Sequence, residues 1–177
     1  MPRSVVVTLL THVLKVEALI EVRAALHETG TVDRLIITGT NGYFAAGADI
    51  EELTALNGAS ALEYARFGQQ VMNEISAHPS VTIAAIDGYC MGGGLDLALA
   101  CSLRYATPKS VLAHPGGRIG IMTGWGGTRR LPLVIGKTRA LEMMAIGRRL
   151  TAIEAEGWGL INGVVDDPVR HALNLKL

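Results

Sequence analysis

Tyr89-Cys90-Met91-Gly92-Gly93-Gly94-Leu95-Asp96 decides how this chain is read. The run follows the apolar stretch Val81–Ile86 and leads into Leu97-Ala98-Leu99-Ala100, so its three glycines fall where a buried strand turns into a helix. Glycine at such a turn lets backbone N–H groups reach a ligand with no side chain in the way, and a helix opening at Gly93 adds its N-terminal partial charge. A second stretch, Phe44-Ala45-Ala46-Gly47-Ala48-Asp49, has the same context. It follows a strand expected at Arg34–Thr38 and leads into Asp49-Ile50-Glu51-Glu52, whose acids suit a helix start. Two such turns can converge on one oxygen atom, which is how an oxyanion hole is built from backbone alone. A triple glycine by itself is an ordinary tight turn; the repeated strand–glycine–helix context is what points to a site.

The bulk properties fit a well-buried globular protein. The 177 residues suit one domain spanning residues 1–177, with 49 % hydrophobic and 18 % charged residues. Lysine plus arginine and aspartate plus glutamate both number 16, a balance that points to neither nucleic acid nor a membrane surface and favours self-association. Cys90 and Cys101, the two cysteines, read as free buried thiols of a reducing compartment. The start, Met1-Pro2-Arg3-Ser4-Val5, lacks the features of a secretory leader, and no run approaches the roughly 18 apolar residues of a membrane span. A cytoplasmic address is expected, and no His/Cys/Asp cluster has metal-ligand spacing.

Strands and helices alternate along the chain, which predicts an α/β fold with parallel pairing. Strands are expected at residues 5–10, 34–38, 81–86, 103–106 and 111–113. Helices are expected at residues 16–28, closed by Gly30, at 60–78, from Gly93 onward, and at 128–134, 139–146 and 151–158. Thr151-Ala152-Ile153-Glu154 fits a capping box.

From about residue 16 to 165 the chain resembles the enoyl-CoA hydratase/isomerase (crotonase) family. Phe44-Ala45-Ala46-Gly47-Ala48-Asp49-Ile50 looks like that family's first signature, and Gly88 through Leu97 like its second. Gly120-Ile121 through Gly126-Gly127-Thr128-Arg129-Arg130-Leu131 looks like its third, and Thr151 to Ala155 before Gly159-Leu160-Ile161 like its later helix and turn. The resemblance implies a spiral of ββα units assembled as a homotrimer or a dimer of trimers. It also implies an acyl-CoA substrate, with coenzyme A carried by the substrate and no further cofactor. The thioester oxygen would accept from the Ala48 and Gly93 N–H groups, with Ala46, Gly47, Asp49, Ile50 and Gly92 around the substrate. Leu56, Ala61 and Ala65 fall where the family places its acyl-chain wall.

The acid–base residues depart from the family pattern. Hydratases of the family use two carboxylates. Asp96 aligns with the first, shorter than the usual glutamate, but the position of the second is Gly116, in Ala113-His114-Pro115-Gly116-Gly117-Arg118. That loss calls into question both two-carboxylate hydration and the isomerase mechanism that relies on the later position. Asp96 is read as a pocket residue handling the proton or water, against the plainer reading of an acid favoured in a first helical turn. His114 is a candidate substitute acid or base, against the plainer reading of a buried, hydrogen-bonded structural histidine. Arg118 and Asp49 are weaker candidates, Cys90 reads as packing, and the Arg129-Arg130 pair, which could meet phosphates, reads more plainly as exposed helix charge.

The ends depart as well. The hairpin that precedes the first helix in the family is compressed, and the chain stops soon after Asp166-Asp167-Pro168-Val169, where the family carries helices that cover the site. The expected fold is a crotonase-like spiral shortened at both ends. The expected function is that of an acyl-CoA enzyme of the hydratase/isomerase class working through an enolate. The alternatives are another crotonase reaction, such as thioester hydrolysis or decarboxylation, and acyl-CoA binding without catalysis.

Overall fold

The computed structural model describes residues 3–176; Met1 and Pro2, part of the leader reading, and Leu177 lie outside the described residues. The chain begins β1 (Ser4–Thr8), β2 (Val13–Leu14), α1 (Val16–Glu28), β3 (Arg34–Thr38), β4 (Tyr43–Ala45), β5 (Gly47–Ala48), α2 (Ile50–Ala55) and α3 (Gly58–Ala77). The middle is β6 (Val81–Ile86), β7 (Tyr89–Met91), α4 (Gly93–Ala100), β8 (Leu103–Ala106) and β9 (Val111–Ala113), then a short 3-10 turn, Pro115–Ile119. It ends with α5 (Gly127–Ile135), α6 (Lys137–Ala145), β10 (Arg149–Thr151), α7 (Ala152–Gly157), β11 (Gly163–Val164) and α8 (Pro168–Asn174).

Two sheets share the strands. The first is parallel throughout, in the order β1-β3-β6-β8-β11; the second runs β10-β9-β7-β4, and β2 pairs with β5 on its own. The chain gives β3, β6 and β8 to the first sheet and the strands that follow them, β4, β7 and β9, to the second. A helix then returns to start the next unit, which makes the repeat a ββα. Gly88 makes the sharp passage between β6 and β7 possible: its φ is +78°, and a Cβ there would sit 1.7 Å from the Gly42 carbonyl oxygen.

Burial explains the central strands. β6, Val-Thr-Ile-Ala-Ala-Ile, is buried from Thr82 onward because both sheet faces are covered, and β3 is buried along its whole length. The helices contribute apolar stripes, Leu19, Val22 and Leu26 from α1 and Val71, Met72 and Ile75 from α3. Arg34 is the exception inside β3. Its guanidinium donates to the carbonyls of Ala172 and Leu173, both at 2.7 Å, so the buried cation anchors the end of α8 on the sheet.

Several boundaries differ from the sequence reading, each for a local reason. The first strand stops at Thr8, with Leu10 turned to solvent. The third helix begins at Gly58 because Asn57 caps it in a box completed by the Ser60 hydroxyl. The Thr151–Glu154 capping box forms as read, one residue ahead of α7. The two cysteines are buried free thiols. Among the described residues no helix is long and apolar enough to cross a membrane, and no group of three or more His, Cys, Asp or Glu could hold a metal ion.

Candidate active site

The two glycine turns meet. A Cβ built on Gly47, where φ is +112°, would lie 3.2 Å from the Gly93 nitrogen, and one on Gly93 would lie 3.3 Å from the Ala48 nitrogen. Only glycine permits this approach of two backbones. As the first residue of α4, Gly93 carries an N–H that the helix itself cannot satisfy, whereas Gly92 spends its own on the Ala113 carbonyl at 2.9 Å. β5 is held in place by its pairing with β2, and α4 is buried along all eight of its residues. Two amide nitrogens from distant parts of the chain are thus fixed side by side by the sheet and the core.

They open onto a cavity of about 450 Å³. Ala46, Gly47, Ala48, Ile50, Gly92 and Gly93 form its floor, and His114 and Gly116 are also on its wall. Leu53, Leu56, Ala61, Tyr64, Ala65 and Trp125 give it an apolar and aromatic side. At the rim, Ile50, Ile119 and Met122 are more than half exposed.

The Trp125 ring is held between two glycine backbones: a Cβ on Gly68 of α3 would lie 2.1 Å from it, and a Cβ on Gly93 would lie 2.5 Å from it. Tyr64 packs beside it with ring centroids 5.5 Å apart, and its buried hydroxyl has no hydrogen-bond partner. Burial raises that phenol above its ordinary range.

Two residues assigned to the pocket from sequence stand elsewhere. Asp49 is the N-cap of α2, accepting from the Glu51 and Glu52 N–H groups and facing Lys15 at 3.3 Å. Asp96 is fully buried behind the cavity wall rather than on it, because α4 presents Gly93 to the cavity and turns Asp96 inward. Oδ2 of Asp96 accepts from the Thr123 hydroxyl, while Oδ1 has no hydrogen-bond partner and lies 3.5 Å from His114 Nε2. His114 is buried, but neither ring nitrogen is hydrogen-bonded, which corrects the picture of a satisfied structural histidine. Burial raises Asp96 to about 6 and lowers His114 to about 4.

Gly116 also differs in kind from what its alignment suggests. Its carbonyl accepts from Ile121 N–H at 2.9 Å, and a Cβ there would lie 2.4 Å from the Ile121 carbonyl oxygen. The loop folds back onto the space that a side chain at this position would need.

The chain as a whole is similar to known proteins. The sequence model of the enoyl-CoA hydratase/isomerase family matches residues 11–175. The chain belongs to that family. It is 41 % identical over 151 residues to human and to bovine proteins named enoyl-CoA hydratase domain-containing protein 2, mitochondrial. Those matches cover 85 % of this chain, which spans about half the length of these curated relatives, 52 % and 51 %. DspI of Pseudomonas aeruginosa superposes with a TM-score of 0.91 at 31 % identity, over 98 % of this chain and 70 % of that one. Enoyl-CoA hydratase of Bacillus anthracis superposes at 0.88 and 32 %, over 98 % and 69 %. The chain has the crotonase fold, over about 70 % of the length of those structures.

Within this family member, Trp125, Tyr64 and Thr123 are the site residues that sequence reasoning passed over or left unassigned. Gly124 and Gly126 flanking Trp125 were the available signal, since glycine on both sides of an indole suggests tight backbone packing around it. Nothing in the sequence marked Thr123. Arg130 has a structural occupation. Its Nη2 donates to Asn73 at 2.8 Å and its Nη1 to the Trp125 carbonyl at 3.3 Å, tying α5 to α3.

Proposed function

We propose that this chain binds an acyl-CoA thioester with the carbonyl oxygen between the N–H groups of Ala48 and Gly93, and carries the acyl group through an enolate. The observation that supports this is the convergence of the two glycine turns on the floor of the cavity. Loss of an α-proton, or addition to the β-carbon of an enoyl thioester, moves an electron pair onto the thioester oxygen. Two preset backbone donors stabilise that charge without reorganising, and removal of one such donor costs on the order of 3 kcal/mol. The apolar wall from Leu53 to Trp125 suits the hydrocarbon part of the acyl group.

Membership of the family and the names of its relatives favour hydration or isomerisation. Gly116, with its side-chain space closed by Ile121, favours a reaction that does without a second carboxylate. Thioester hydrolysis and binding without turnover belong to that second reading. Association as a homotrimer or dimer of trimers fits the exposed Leu133, Leu141 and Ile153, and light scattering would read it directly.

The test is to mix the chain with a short trans-2-enoyl-CoA and follow the ultraviolet absorbance of the conjugated thioester beside a thiol-release assay. Loss of conjugation without free thiol supports the enolate route. Thiol release assigns hydrolysis, and saturable binding with neither signal overturns catalysis.

A further inference from the structure

His114 and Asp96 form a buried pair, with the Asp96 carboxylate also favoured by the Thr123 hydroxyl, the Trp125 and Gly127 backbone N–H groups and the Arg130 charge. Imidazole and carboxylate are 4 % and 0 % exposed, Nε2 and Oδ1 are 3.5 Å apart, and both ring nitrogens and Oδ1 have no hydrogen-bond partner. Buried polar atoms are as a rule satisfied, and here Nε2 and Oδ1 have chiefly each other. The surroundings keep the pair free to interact. The Thr123 hydroxyl holds Oδ2 and leaves Oδ1 turned to the imidazole. Gly127, at the start of α5, keeps the space open: a Cβ there would lie 2.1 Å from Oδ1 and 2.9 Å from Nε2. Of the two residues, His114 contributes to the cavity wall beside Pro115 and Gly116, with its ring nitrogens enclosed just beneath the surface and Nε2 toward Asp96, which is behind it.

We propose that His114 is the catalytic base and acid of this site, moving the proton at the acyl α-carbon, with Asp96 as the positioning residue that orients the imidazole and stabilises its cation. The proposal rests on the enolate reading above and names the group that exchanges the proton. In the deprotonation step the α-C–H bond breaks and its proton goes to the imidazole. The electron pair becomes the C=C bond of the enolate, and the carbonyl π pair moves to the oxygen between Ala48 and Gly93. Return of the proton reverses each movement. If the proton returns to the γ-carbon of an enoyl chain, the double bond shifts. If His114 first takes a proton from water, hydroxide oxygen adds to the β-carbon and the same proton is delivered to the α-carbon. One group thus serves both halves of the cycle, and a second carboxylate is unnecessary.

The charge states suit that cycle. Near neutral pH the imidazole is neutral, ready to accept a proton, and the carboxylate behind it is largely ionised. The other groups around the pair do not titrate in this range. Burial raises the Cys90 thiol and the Tyr64 phenol and lowers the Arg130 guanidinium of α5. Arg118, also on the cavity wall, is bonded to the Ile146 carbonyl.

Hydrogen exchange at the α-carbon tests the proposal without assuming a product. Butyryl-CoA is incubated with the chain in heavy water, and loss of its α-methylene signal is followed by proton NMR. The expected result is exchange by the wild type and a fall of 100-fold or more in His114→Gln, with butyryl-CoA binding changed less than about threefold. Wild-type exchange that persists in His114→Gln overturns the proposal and leaves the oxyanion reading standing. Binding with no exchange in the wild type overturns the enolate reading itself, and the proposal with it. Asp96→Asn gives a second arm that does not depend on how His114→Gln folds. Its rate should fall at least tenfold at constant KM, and its acid limb should move from near pH 6 toward pH 4, since the limb belongs to the pair. A wild-type limb and rate in Asp96→Asn overturn the role given to the carboxylate.

Discussion

Replacing Asp96 by asparagine should stabilise the protein at neutral pH while slowing any proton transfer at the site. The carboxylate is fully buried, and burial raises its pKa from 3.8 to about 6, with the Thr123 hydroxyl acting in the opposite direction. A folded-state pKa above the unfolded one means that ionisation opposes folding. Below about pH 4 the acid is protonated in both states and contributes no penalty. Between pH 4 and 6 the unfolded chain ionises first and stability falls, and above pH 6 the full penalty is present, about 3 kcal/mol at 1.36 kcal/mol per pKa unit. Asparagine has the same shape, can still accept from Thr123, and does not titrate. Urea unfolding of both forms from pH 4.5 to 8 should show a difference that grows with pH toward an upper limit of about 3 kcal/mol in favour of asparagine. In melting temperature that is about 6 to 12 °C for a chain of this size. The unfolded-state titration of His114 is common to both forms and cancels when they are subtracted. A pH-independent difference, or a less stable asparagine form at pH 8, would refute the claim that Asp96 is a desolvated carboxylate held against its preference.

Three further substitutions probe the rest of the site and the core behind it. Gly116→Glu should not create a two-carboxylate hydratase; with a Cβ 2.4 Å from the Ile121 carbonyl it should lower stability by about 1 to 3 kcal/mol in a thermal melt, and a gain of enoyl-CoA hydration would show that the loop opens instead. Gly93→Ala drives its Cβ into the Trp125 ring and toward the Ala48 nitrogen, so kcat should drop about 100-fold or more in an α-proton exchange assay, whereas wild-type exchange would remove Gly93 from the oxyanion reading. Arg104→Met removes a buried guanidinium that donates to the Leu160 and Cys101 carbonyls, both at 2.8 Å, and should cost roughly 3 kcal/mol or more in urea unfolding; a loss below 1 kcal/mol would mean that water reaches those carbonyls.

What could be read from the sequence was whatever the backbone itself must do. The two glycine turns were visible because only glycine allows Gly47 and Gly93 to bring their backbones so close, and that demand is local. Apolar runs such as β6 and stripes such as Leu19, Val22 and Leu26 were visible for the same reason: periodicity reports burial directly. The two-residue strands β2 and β5 were not, since two residues carry no period. Helix α8 had readable signals, with Asp167 accepting from Arg170 N–H and Pro168 at the first helical position, yet its place on the sheet depends on Arg34, more than 130 residues away. Asp96 was misplaced because its surroundings are distant in sequence. Whether an acid in the first turn of α4 meets the cavity or the interior is decided by Thr123 and Gly127, from a loop whose path no local pattern specifies.

That loop is also what separates this site from one built on two carboxylates. Ile121 N–H closes onto the Gly116 carbonyl, and the returning Ile121 carbonyl occupies the direction a side chain would take. The same loop then carries Thr123 to Asp96, Trp125 against Gly93, and Gly127 into the gap beside His114. One path of the chain therefore closes the side-chain space at Gly116 and fixes Asp96 behind a histidine. A pair of apolar residues of similar volume would pack there at no ionisation penalty, and buried charge is in general a weak way to stabilise a fold. The arrangement is accounted for if the penalty at Asp96 is retained for proton transfer through His114. In that case stability and α-proton exchange should move in opposite directions in Asp96→Asn, whereas a merely structural aspartate would lose both together.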